Sequence, residues 1–460
     1  MDASIIILTV LALAAFSYFF GRRRVLAAAG GNIGAIHSMP GSYGWYAATL
    51  TILPGALVFV LWLMFGGWVV DSMVLADLPQ ASKPATDIER QLLLNDIHNY
   101  ASGDVMRADT DETVKAAAAH YNSLTRQVSL GAFVLATLFA ALGGLRGYQA
   151  ARPDFRARNK LERLVLFILI GCSAIAIVTT LGIVLSLLFE SLRFFSKVSI
   201  FEFLFGIHWS PQTALRADQV GSSGAFGAVP LFTGTLLISF VAMLVAVPLG
   251  LMAAIYMTQY ADDRLRKIAK PLLEILAGVP TVVYGFFAAL TVGPFIRELG
   301  ATVGLSVASE SALAAGLVMG IMIIPLMSSL SDDAITAVPQ AMKDGSLALG
   351  ATESETIRRV LIPAALPGIV GAFLLSVSRA IGETMIVVMA AGLAANLTAN
   401  PLEAVTTVTA QIVALLKGDQ EFDSAKTLSA FALGLVLFVA TLLLNVLALR
   451  TVRKYREAYE

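Results

Sequence analysis

Apolar runs alternate with polar segments nine times along the chain, and each run can cross a hydrocarbon core, which takes about 20 apolar residues per helix. They lie at 3–20, 45–70, 128–145, 164–188, 231–257, 275–296, 311–331, 366–392 and 428–449. In hydrocarbon every backbone polar group must find its partner within its own segment, so the runs predict helices. The pattern predicts an all-α polytopic membrane protein with about nine transmembrane helices. Between 71 and 127 a helical period appears outside the runs: Ile88, Leu92, Leu93, Ile97 and Tyr100, then Val114, Ala117 and Tyr121. A small helical hairpin capping the N-terminal spans is expected there. Residues 189–230 collect Phe194, Phe195, Phe201, Phe203, Phe205 and Trp209, a concentration expected along the membrane interface.

The first run is not flanked like a signal peptide, because its only early charge is Asp2 and the basic cluster Arg22, Arg23, Arg24 follows it. Holding that cluster in the cytoplasm puts the N-terminus outside and the C-terminus inside. On this orientation 20 of the 32 Lys and Arg residues fall in cytoplasmic segments and 11 outside, the excess that orients membrane proteins. The basic stretch 146–163, with Pro153, reads as a linker. The expected domains are a three-span unit over 1–160, with an external helical segment at 71–127, and a six-span unit over 161–460.

Composition narrows the function classes. Charged residues make up 14% of the 460, against about a quarter in soluble proteins, and mean hydropathy is +0.78. Basic and acidic residues balance at 32 each, which gives no polyanion-binding surface and no argument for nucleic acid. Cys172 stands alone in an apolar run, as a core or lipid-facing residue. The four histidines are scattered without metal spacing. No phosphate-binding loop, nucleophile elbow or carboxylate cluster occurs, so the chain is expected to be neither an ATPase nor another enzyme, and no cofactor is expected.

Two features carry chemistry. Arg379 and Glu383 are the only charged residues inside the nine runs. A charge at the bilayer centre costs at least ~2.5–3.5 kcal/mol on insertion scales and usually faces a pathway or another charge. Four residues apart, the two would share a helical face and form an ion pair, either to neutralise one another or to line a translocation route. The second feature is the cytoplasmic loop 332–365. Pro339 suits the first position of a helix and Gly350 its left-handed end, while Thr352 and Glu355 form a capping-box pattern that starts another. Pro363 and Pro367 mark the next span. Two short angled helices would present a rigid knob to a cytosolic partner.

This loop resembles the cytoplasmic motif of permeases of ATP-binding-cassette importers, which runs Glu-Ala-Ala, three residues, Gly, nine residues, Ile, one residue, Leu-Pro. Here Asp344, Gly345, Ser346, Gly350, Val360, Ile362 and Pro363 keep the spacing with changed letters. The segments Leu276–Gly285 and Arg379–Met385 are similar to the phosphate-specific importer permeases of bacteria, of the PstC type. The resemblance covers about 161–460 and implies nothing about the three N-terminal spans. It implies the fold of a six-span type I permease core, location in the bacterial cytoplasmic (inner) membrane, and partners: a paralogous PstA-type permease, a cytosolic ATPase dimer and an external phosphate-binding protein, with membrane lipid around them. It also implies that 339–349 is a coupling helix seated on the ATPase, and that Arg379 and Glu383, with Ser378 and Thr384 as hydroxyl donors, line the substrate pathway. Glu383 would hold Arg379 when phosphate is absent, and a second cation would come from the partner permease. Alternatives are another oxyanion as substrate, an ion-coupled secondary transporter and a membrane-embedded enzyme. The lack of an internal repeat weighs against the second.

Overall fold

The structure is a computed structural model and describes residues 3–78, 86–103, 112–212, 224–417 and 423–457. Among them nine helical segments are long and apolar enough to span a membrane. The chain divides into two compact units, 1–177 and 178–460. The division falls inside a helix that begins at Ala157, whose first turn contains the boundary expected at 160.

The first unit holds α1 (Ala3–Ala28), α2 (Pro40–Asp77), α3 (Asp87–Ser102), α4 (Glu112–Ala150) and the start of α5 (Ala157–Phe195). Helices α2 and α4 pack backbone to backbone through small residues, the usual solution where lipid supplies no hydrophobic drive. A Cβ at Gly143 would lie 1.9 Å from the Leu50 carbonyl oxygen, and one at Gly147 2.5 Å from the Ala47 Cα. The expected hairpin over 71–127 takes another form. Helices α2 and α4 run past their predicted ends, and α3 packs between them through Val70, Val74, Ile97, Ala117 and Ala118. The Nε2 atoms of His98 and His120 pair with Asp71 at 2.9 Å and Asp77 at 3.0 Å, tying α3 and α4 to the end of α2.

The second unit continues α5 into α6 (Ile200–Phe205) and a two-residue antiparallel ribbon, β1 (Trp209–Ser210) with β2 (Ala225–Phe226). Then follow α7 (Val229–Ile255), α8 (Asp263–Ala277), α9 (Thr281–Phe287), α10 (Gly293–Thr302), α11 (Ala312–Thr336), α12 (Gln340–Ala348), α13 (Glu353–Thr356), α14 (Ile362–Gly382), α15 (Met385–Ala390), α16 (Val408–Leu415) and α17 (Ala425–Glu457). Single π-helical turns, Tyr256–Tyr260, Ala288–Val292 and Ile357–Leu361, follow α7, join α9 to α10 and join α13 to α14. The core lies between α7 and α11, where Ile238, Ala242 and Ala246 meet Ala315, Val318 and Met319.

Three expectations need correction. The aromatics of 189–230 are not all interfacial: Phe194, Phe203 and Trp209 build a buried cluster with Phe226 and Leu231, while Phe201 and Phe205 stay exposed. The run 275–296 is not one helix. Pro280 lacks an N–H and disfavours helical geometry at Val279, so α8 ends before it and α9 starts after it. The run 366–392 breaks as well, between Gly382 and Met385. Along α5 no residue between 158 and 190 is buried, and Cys172 is exposed there.

Candidate functional site

Local sequence rules build the loop between α11 and α14. Pro339 stands one position earlier than expected, as the residue that caps α12. The helix ends in a Schellman motif: Gly350 is left-handed at φ +87°, its N–H donates to the Leu347 carbonyl at 2.9 Å, and the Ala351 N–H donates to the Ser346 carbonyl at 3.2 Å. One residue later the capping box closes. The Glu355 N–H donates to Thr352 Oγ1 at 3.3 Å and the Thr352 N–H donates to Glu355 Oε2 at 3.0 Å. A hydroxyl contact between Ser346 and Thr356, 2.9 Å, fixes α12 against α13. The loop is thus an elbow of two capped helices, and the Lys343 ammonium donates to Gln259 at 2.9 Å on the π-helical turn after α7. Of the predicted residues, Asp344, Gly345 and Gly350 are exposed, Ser346 and Val360 are half-buried, and Ile362 and Pro363 open α14. Leu349 at the tip is 91% exposed.

Arg379, in the last turn of α14, borders a cavity of about 410 Å³. Its walls come from α8 (Lys270, Glu274), α11 (Ser328, Ser329, Asp332) and α14. Among the described residues Arg379 has no ion-pair partner. The expected pair with Glu383 is absent because α14 ends at Gly382, and Glu383, in extended backbone, no longer shares its helical face. The Glu383 carboxylate, 8% exposed, instead accepts the N–H groups of Met385 at 3.1 Å and Ile386 at 3.4 Å, and so starts α15. The other two predicted pathway residues are not brought to the cavity. Ser378 faces a crevice with Thr441 and Asn445 of α17. The Thr384 hydroxyl turns to the Gly382 carbonyl.

Sequence reasoning missed three charges here. Asp332 lies not in a loop but in the final turns of α11, its side chain 3% exposed and held by Lys270 at 2.8 Å and Arg266 at 3.1 Å from α8. That contact keeps the Lys270 ammonium above the ordinary lysine range. The signal was available: Met327, Leu330, Ala334 and Val338 continue the helical period through the polar residues Ser331, Asp332 and Asp333.

The two segments that carried the resemblance meet in space. The break at Gly278–Pro280 leaves the Leu276 carbonyl with turn-type bonds only, such as that from the Val279 N–H at 3.3 Å, and the Tyr284 hydroxyl donates to it as well at 2.8 Å. One residue on, a Cβ at Gly285 would lie 2.8 Å from the Met389 sulfur and 3.2 Å from the Met385 carbonyl oxygen, so α9 and α15 touch at this glycine.

Residues 246–457 match the family described as binding-protein-dependent transport system inner membrane component. Residues 7–179, which include the N-terminal spans to which the sequence resemblance gave no role, match one described as phosphate ATP-binding cassette transporter. A probable ABC transporter permease protein, YqgH, of Bacillus subtilis is 34% identical over 60% of this chain and 86% of its own length. The phosphate transport system permease protein PstC 1 of Mycobacterium tuberculosis is 36% identical over 55% and 81% respectively. The phosphate transport system permease protein PstC of Mesorhizobium japonicum is 30% identical over 66% and 90%.

Proposed function

The chain belongs to the PstC-type permeases among binding-protein-dependent inner membrane components, and we propose that it carries inorganic phosphate inward as one permease subunit of an ATP-driven importer. It is a multi-pass membrane protein. A paralogous PstA-type permease completes the pore, an ATPase dimer in the cytosol hydrolyses ATP, and a phosphate-binding protein delivers substrate from outside. The distribution of basic residues supports an N-terminus outside and a C-terminus in the cytoplasm of the inner membrane.

The observation that carries this reading is the α12–α13 elbow. One of its turns is closed by the Gly350 backbone bonds and the other by the Thr352–Glu355 capping box, so it moves as a body, and its exposed Met342, Leu347 and Leu349 give it an apolar tip that fits a groove on a partner. Closure of the ATPase dimer pushes α12, and α11 and α14, attached at its two sides, turn that push into alternating access, a coupling that needs such a rigid connection between two states. Arg379 offers a planar guanidinium for two phosphate oxygens, a contact stronger in a cavity than in water. Glu383 serves the pathway indirectly, by holding the start of α15.

The test is phosphate uptake by membrane vesicles that hold the assembled transporter. Uptake is expected to need ATP and to be lost in Arg379→Gln complexes that still assemble. Uptake driven by an ion gradient without ATP would refute the importer reading. Uptake of molybdate or a phosphonate in place of phosphate would replace the substrate, and unchanged uptake by Arg379→Gln would refute the role of that residue.

A further inference from the structure

A phosphate dianion in transit needs more than one cation, and the Arg379 cavity already contains a second. We propose that Lys270 is a transfer cation for phosphate, passing from the Asp332 carboxylate to the anion as it moves through the cavity beside Arg379. This rests on the phosphate reading above.

The charges on the wall make such an exchange possible. Asp332 is buried and holds two cations at once, Lys270 at 2.8 Å through Oδ2 and Arg266 at 3.1 Å through Oδ1. A buried carboxylate stripped of its only partner would be strongly destabilised, but here Arg266 remains when Lys270 leaves. Lys270 can therefore be lent without leaving Asp332 unpaired. It also lines the cavity, as Arg379 does, whereas Arg266 is not among the cavity's lining residues. The Ser328 hydroxyl on the same wall is buried and has no hydrogen-bond partner among the described residues, which leaves an O–H for an oxyanion oxygen.

The same arrangement keeps the site from holding phosphate too tightly. A transport station must bind well enough to admit its ion and weakly enough to release it. Asp332 is a tethered anion that competes for Lys270, and Glu274 on the wall and Asp333 nearby add negative charge. Phosphate thus exchanges a carboxylate–ammonium contact for a phosphate–ammonium one, and Asp332 displaces it again. The competing role that the sequence suggested for Glu383 toward Arg379 is supplied by Asp332 toward Lys270, on a different helix pair.

Lys270→Gln separates this from a merely structural tie. The glutamine amide still donates to Asp332 and Arg266 still pins α8 to α11, but the transferable charge is gone. In the complete transporter, with ATP and binding protein, Lys270→Gln is expected to lower phosphate uptake by about ten- to a hundredfold, the loss of one contact to a charged group. Assembly should be unchanged, and Lys270→Arg should recover most of the uptake. The second readout is modification of Lys270 by an amine reagent in the solubilised wild-type complex, followed by mass spectrometry; inorganic phosphate is expected to slow it several-fold, and chloride is not. Wild-type uptake with an equally active Lys270→Gln, or labelling indifferent to phosphate, overturns the proposal alone. A wild-type complex that takes up no phosphate overturns the substrate reading and this proposal together.

Discussion

Alanine at Gly350 and at Gly345, on the elbow between α11 and α14, should act in opposite directions for a reason that can be worked out in advance. Both glycines face open space, with no atom within 4 Å of a Cβ built on them, so neither substitution creates a clash. Only backbone preference remains. Gly350 sits at φ +87°, where an L side chain costs roughly 1–2 kcal/mol. Gly345 lies within α12, where alanine is favoured over glycine by up to ~1 kcal/mol. Gly350→Ala should therefore raise the open population of α12 roughly 5- to 30-fold, and Gly345→Ala should lower it by up to about fivefold. Amide hydrogen exchange of a peptide spanning 340–356 in the assembled transporter reads both. Co-purification of the ATPase should weaken in Gly350→Ala and hold or improve in Gly345→Ala. Equal exchange in the two variants, or faster exchange in Gly345→Ala, would refute the view that the left-handed cap ends the coupling helix.

Three substitution sites and one pH dependence test the cavity wall and the helix breaks near it. Asp332→Ala removes the buried carboxylate that ties Lys270 and Arg266, both partly exposed, to α11 and should cost ~1.5–3 kcal/mol, seen as a lower yield of folded complex in size-exclusion chromatography, with Asp332→Asn intermediate. The same pair sets a pH expectation: Lys270 is raised above the lysine value of 10.5 by its Asp332 contact, so its contribution is fully present below 10.5 and fades only as pH rises through the higher folded value. Complex stability between neutral and moderately alkaline pH should show no step from this pair, and a step well below 10.5 would contradict it. Glu383→Ala frees the Met385 and Ile386 N–H groups and should cost ~1–3 kcal/mol, while Glu383→Gln keeps an acceptor oxygen and should be milder; equal yields of folded complex from the two would refute the capping role. Tyr284→Phe removes the bond to the Leu276 carbonyl and should lower the thermal midpoint of the complex by the equivalent of ~1 kcal/mol.

Rules confined to a few neighbouring residues made much of the fold legible. Apolar run length located nine spans, and the signals at Gly350, Thr352 and Glu355 located the elbow, because caps and hydrocarbon both act within one or two helical turns. What the sequence hid depended on contacts between distant segments. The wedge formed by α3 needed the ends of α2 and α4, and Trp209 went to a buried cluster that residues beyond 225 complete. Charge suffered most. Arg379 was visible because it and Glu383 carry the only charges within the apolar runs, but its cavity partners Lys270 and Asp332 lie 62 residues apart in polar stretches and meet only through the packing of α8 on α11. Glu383 was found and given the wrong neighbour, since a spacing of four means proximity only while the helix continues.

The three π-helical turns bear on how the chain can change length. Each holds one residue more than the α-helical path would need, with bonds such as Ala261 N–H to the Tyr256 carbonyl and Ile362 N–H to the Ile357 carbonyl. Deleting a residue within an α-helix turns every later side chain by about 100°, enough to move Arg379 off its wall. Deleting one inside Ile357–Leu361 restores ordinary pairing there and leaves the faces before and after it in register. Single-residue length differences among related chains should therefore collect at these turns, where the helix already contains the slack.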